Sequence, residues 1–101
     1  MPDQNGPSAT SVSAVHATAY GQVQGVGFRY FAKVNAQRLG VVGWVRNRDD
    51  GTVELWAEGT RERLDAYVRT IRRGPTHGRV ARLDLDWRAP LADTKSFRIR
   101  Y

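Results

Sequence analysis

Three glycines, Gly21, Gly25 and Gly27, fall within seven positions, and Arg29 follows two residues later. Glycine lets a backbone turn tightly and bring successive N–H groups to one point. If a helix begins there, its N-terminus adds unpaired donors and the positive end of a dipole, which makes an anion cradle. The candidate donors are the backbone N–H groups of Gln24, Gly25, Val26, Gly27 and Phe28. A cation in a first helical turn opposes the macrodipole unless an anion lies between the two. Arg29 is therefore either a plain surface arginine beside a glycine turn or a phosphoryl ligand, since its planar fork matches two phosphoryl oxygens and keeps its proton. No Gly-Lys-Ser/Thr follows the glycines, and their spacing departs from the dinucleotide fingerprint, so nucleotide binding is poorly supported.

A second group runs from Gly43 to Leu55 as GWVRNRDDGTVEL. Asn47 cannot act as a base, but its amide both donates and accepts and so can fix a water molecule. Taken alone, an asparagine at a turn more often fills a left-handed backbone position. Asp49 and Asp50 are conceivable bases, yet Asp50-Gly51 has a sufficient reason to exist as a tight turn. His16 falls on the outward-facing positions of a strand and His77 in a loop, and neither has the spacing of a metal ligand. No metal and no cofactor is expected.

Stepping from these residues to the chain that carries them, 101 residues suffice for one domain with one modest core. The segment 1–13, polar and with two prolines, one glycine and three serines, is expected to be a disordered tail, leaving 14–101 as the folded domain. Cysteine is absent, which removes disulfides, thiolate metal sites and cysteine nucleophiles and fits a reducing, cytoplasmic setting. No apolar run approaches the roughly 20 residues that cross a bilayer, so no membrane is expected as a partner. The net charge of +6 favours anionic partners without choosing among them, and the basic residues are dispersed rather than striped.

Apolar alternation at Val15, Ala17 and Ala19, continued at Val23, predicts a strand. From Phe28 the period becomes helical through Phe31, Ala32, Asn35 and Leu39, and Gly40 stands where a C-cap glycine belongs. Segments 41–46 and 52–58 read as a hairpin joined by 47–51. Thr60 is a plausible N-cap for a second helix with Leu64, Tyr67, Val68 and Ile71 on one stripe, stopped by Gly74-Pro75. Two further strands alternate through Leu83, Leu85 and Trp87, and through Phe97, Ile99 and Tyr101. The order βαββαβ plus a C-terminal strand predicts an α+β, ferredoxin-like sandwich, with two helices on one face of a mixed, mostly antiparallel sheet. Trp44 and Trp56 fall among polar positions and are expected to be a cross-strand packing pair.

The strings GQVQGVGFR (21–29) and GWVRNRDDGTVEL (43–55), with Glu58-Gly59 and later Gly74-Pro75 and Val80, resemble the acylphosphatase family from about Val15 to Tyr101. The family form G-x-V-Q-G-V-x-F-R is met throughout 21–29, and G-x-V-x-N-x-x-D-G-x-V at Gly43, Val45, Asn47, Asp50, Gly51 and Val53. Thr76-His77-Gly78 departs from the Pro and Ala common there, which touches only the rim of the site. The resemblance implies a ferredoxin-like fold, a phosphate cradle in the first loop, essential roles for Arg29 and Asn47, and metal-free hydrolysis of small-molecule acyl phosphates. It also suggests that the proton of the attacking water passes to the substrate's own phosphoryl oxygen. Inorganic phosphate or sulfate is expected to inhibit, and the protein to act as a monomer. Two alternatives use the same fold: an RNA-binding module, which lacks here the clustered aromatics of an RNP1 motif, and a regulatory domain that binds a phosphorylated metabolite without hydrolysing it.

Overall fold

The computed structural model describes residues 11–91 and 93–101. Its elements are β1 (Val12–Gln22), α1 (Phe28–Leu39), β2 (Val42–Asn47), β3 (Val53–Thr60), α2 (Arg61–Arg73), β4 (Arg79–Arg88) and β5 (Phe97–Arg100). They form one five-stranded sheet in the order β4-β1-β3-β2-β5. Every neighbouring pair is antiparallel except β2 and β5, which run parallel. This is the predicted α+β, ferredoxin-like arrangement with its additional C-terminal strand.

Strand alternation divides the sheet into two unlike faces. Val15, Ala17 and Ala19 of β1, Val45 of β2 and Val53, Leu55 and Ala57 of β3 point to the helices and are buried. Phe28, Ala32 and Ala36 of α1 and Leu64, Tyr67 and Ile71 of α2 close the same core. The α1 helix lies over β2 and β5, and α2 over β1, β3 and β4. Tyr67 joins the two helices, because its buried hydroxyl donates to the Ala32 carbonyl at 2.9 Å. Without that acceptor a fully buried hydroxyl would carry an uncompensated desolvation cost.

The helix ends follow the local sequence. Gly40 takes the left-handed conformation beyond α1, with φ of 71°, and the Thr60 hydroxyl accepts the Arg63 N–H at the start of α2. The expected tail, 1–13, lies mostly outside the described residues. Its last part belongs to the sheet instead: Val12 and Ser13 pair with Thr60 and Gly59, so β1 starts two residues before the expected domain edge. Ladder hydrogen bonds to a neighbouring strand carry this polar segment where its own apolar content would not.

The open face of the sheet holds the polar positions. Trp44 and Trp56 sit directly opposite each other on β2 and β3, as expected of a cross-strand pair. Arg46 and Arg100 lie over the Trp44 ring, with guanidinium carbons 5.7 and 4.5 Å from its centre.

Candidate active site

The loop between β1 and α1 turns through two left-handed glycines, Gly25 at φ 74° and Gly27 at φ 76°. A side chain at either position would meet no neighbouring atom, so it is the backbone conformation that calls for glycine. Gly27 is the N-cap of α1. It offers no side-chain hydrogen bond, and the first turn contains no acidic residue. The opening amides of α1 and the positive end of its dipole therefore have no built-in counter-charge in the first turn.

Arg29 is the second residue of α1. Among the described residues no carboxylate pairs with it. Its guanidinium carbon lies 4.8 Å from the centre of the Tyr101 ring. The local anomaly noted in the sequence, a cation at the positive end of a helix, is thus left without a protein anion.

Asn47 is the last residue of β2 and pairs with Val53, so it belongs to the strand and not to the turn beyond it. The left-handed position of that turn falls on Gly51, at φ 90°. Asp50 closes the turn by accepting both the backbone N–H of Thr52 at 3.0 Å and its hydroxyl at 2.6 Å. Those bonds hold the Asp50 carboxyl below its usual range, the hydroxyl contact contributing most. This is the turn role that Asp-Gly suggested.

A cavity of about 310 Å³ brings Gly25, Gly27, Phe28 and Arg29 together with Asn47. Residues from the glycine loop, the start of α1 and the end of β2 thus share one concave surface. Gln24 and Val26, expected beside them, do not line it. The Gln24 side chain instead donates to the carbonyls of Arg48 at 2.7 Å and Thr52 at 2.8 Å, fastening the glycine loop to the turn beyond Asn47. Val26 packs against the core.

Four further lining residues escaped the sequence reading: Val23, Tyr30, Ile99 and Tyr101. For the last two a signal existed, because Phe97, Ile99 and Tyr101 alternate on one face. The parallel pairing of Val45 with Ile99 and Arg46 with Arg100, continued by one residue, brings Tyr101 level with Asn47.

A family model described as Acylphosphatase matches residues 15–99. The chain belongs to the acylphosphatase family. An acylphosphatase of Geobacillus kaustophilus (strain HTA426) is 44% identical over 87 residues, 86% of this chain and 93% of that protein. The crystal structure of acylphosphatase from Bacillus subtilis superposes with a TM-score of 0.85 at 36% identity, over 88% of this chain and 99% of the other. An acylphosphatase structure from Coxiella burnetii gives a TM-score of 0.82 at 32% identity, covering 88% of this chain and 93% of that one. Both signatures of this acylphosphatase-family chain contribute to the cavity, the first through Val23, Gly25, Gly27, Phe28 and Arg29 and the second through Asn47.

Proposed function

We propose that the chain hydrolyses the carboxyl-phosphate bond of small-molecule acyl phosphates, with Arg29 and the amides of the glycine loop holding the phosphoryl group and Asn47 placing the water. The observation that supports this most is the shared cavity: a guanidinium with no carboxylate partner among the described residues, beside a helix N-terminus with no side-chain cap, and facing them the side-chain amide of Asn47.

The chemistry asks little more. A carboxylate is a good leaving group, so no strong general acid is required, and what remains is positioning and electrostatic stabilisation. The N–H groups of Gln24 to Phe28 and the Arg29 fork bind the non-bridging oxygens as charge redistributes among them. The Asn47 amide donates to and accepts from water, turning a lone pair toward phosphorus. The water proton goes to a phosphoryl oxygen of the substrate itself, which leaves phosphate and a free carboxylate.

Inorganic phosphate or sulfate competes for the same cradle, and the protein works as a cytoplasmic monomer. Among the described residues no helix is long and apolar enough to cross a membrane. The RNA-binding alternative gains nothing from the aromatic face, because Arg46 and Arg100 already lie over Trp44. Phosphate release from benzoyl phosphate, measured with a chelator present for wild type beside Arg29→Gln, tests the reading. Loss of about 10² or more in the variant is expected. Equal rates for the two proteins would refute it.

A further inference from the structure

Asn47 has an arginine on either side in sequence, and both arginines are held by one carboxylate. Period-two alternation sends Arg46 to the open face of the sheet and Asn47 to the cavity. Glu54 faces Arg46 across the β2–β3 ladder. One oxygen of Glu54 accepts from Arg46 Nε at 2.6 Å, and the other from Arg48 Nη2 at 2.8 Å. His16 Nε2 of β1 lies 2.6 Å from that second oxygen. The Glu54 side chain is only 8% exposed, which separates it from an ordinary surface ion pair.

Burial pushes the Glu54 carboxyl up, but the hydrogen bonds from Arg48, His16 and Arg46 outweigh it and bring the group down to about 2. The carboxylate is therefore charged wherever the fold is intact near neutrality.

We propose that Glu54 is a positioning residue for the hydrolysis: by gripping Arg46 and Arg48 from the open face, it sets the roll of the strand end and so aims the Asn47 amide into the cavity. This rests on the reading of Asn47 as the group that places the water. The ladder pair with Val53 ties down the backbone of Asn47, the Arg48 N–H donates to the Thr52 carbonyl at 2.9 Å, and Gly51 and Gln24 both donate to the Arg48 carbonyl. The remaining freedom is a roll of the strand end about its own axis. Two outward-pulling side chains, one before and one after Asn47, oppose that roll. Removing the charge leaves two guanidinium groups side by side over a half-buried spot, which repel and release the strand end.

Steady-state hydrolysis of benzoyl phosphate tests this on Glu54→Gln, Asn47→Ala and the double variant, with phosphate inhibition measured for each. Glu54→Gln is expected to lower kcat about tenfold, the scale of a small misplacement, while KM and phosphate inhibition stay within about twofold of wild type. Added to Asn47→Ala, it should cost nothing more, since it acts through a group already gone. Wild-type kcat in Glu54→Gln, or the same tenfold loss repeated in the Asn47→Ala background, overturns the proposal. Should Glu54→Gln not fold, Arg46→Gln and Arg48→Gln each remove one arm. A loss of about threefold apiece, vanishing in the Asn47→Ala background, then supports it, and unchanged kcat in both overturns it. Full turnover by Asn47→Ala alone would instead defeat the assignment of Asn47, whatever Glu54 does.

Discussion

The glycine loop keeps its shape through backbone torsions, with left-handed Gly25 and Gly27 standing in open space. The segment from Asn47 to Thr52 keeps its shape through side chains: Gln24 on its carbonyls, Asp50 on Thr52, and Glu54 on Arg46 and Arg48. One wall of the cavity is thus shaped mainly by its own backbone and tied to the other through Gln24, and the other borrows its geometry from β1, β3 and the neighbouring loop. Damage to the first should appear as weaker phosphoryl binding and loss of transition-state charge stabilisation. Damage to the second should appear in turnover, with binding largely kept.

The largest effect that would separate the walls is at Arg29. Arg29→Lys keeps the charge but loses the bidentate fork, and hydrolysis is expected to fall by about 10² to 10³, with phosphate inhibition weakened too. Near-normal hydrolysis by this variant would erase the special status of the first wall. Asn47→Ala comes next, with turnover down about 10² and inhibition by phosphate retained. Parallel loss of both would make Asn47 a binding group and dissolve the distinction.

Gln24→Leu cuts the tie between the walls. The carbonyls of Arg48 and Thr52 keep their own turn bonds, so the fold should survive, and kcat/KM is expected to drop about tenfold. An unaltered kcat/KM would mean that each wall stands without the other. Gly27→Ala forces a side chain into the left-handed region and should cost about 1 kcal/mol of stability, read from urea midpoints, together with weaker phosphate inhibition.

The smallest effect near neutrality is that of pH. Glu54 is depressed in the folded chain, from 4.5 to about 2, so its stabilising contribution is full above 4.5 and is lost as pH falls toward 2. Urea midpoints should stay level down to about 5 and decline below, less steeply in Glu54→Gln. Identical profiles for the two proteins would assign the acid loss to Asp50 and Asp86, whose carboxyls are also held low.

The first wall was legible in the sequence because its information is local. Glycine spacing, a helix start at Phe28 and an ill-placed cation at Arg29 are all read within nine residues. The order of elements along the chain was equally local, as were both helix stops at Gly40 and Gly74 and the start of α2 at Thr60. The support of the second wall was not. That Gln24 spends its side chain on two carbonyls, or that His16 and Glu54 meet across β1 and β3, depends on pairing between segments up to 38 residues apart. Asn47 itself looked like a turn residue because the strand end and the turn share the same polar composition, and only the pairing with Val53 assigns it to the strand. The contribution of Tyr101 waited on the parallel register of β5 with β2.

The placement of β5 has a consequence for how the molecule comes into being. Phe97 of this strand packs edge-on against Tyr67 of α2, and the strand supplies Ile99 to the cavity and carries the chain on to Tyr101. It is also the last of the described elements in chain order. A folding chain in which β5 has not yet docked already holds Arg29 and Asn47, yet it lacks the flank that encloses them, so competence should arrive with the docking of β5.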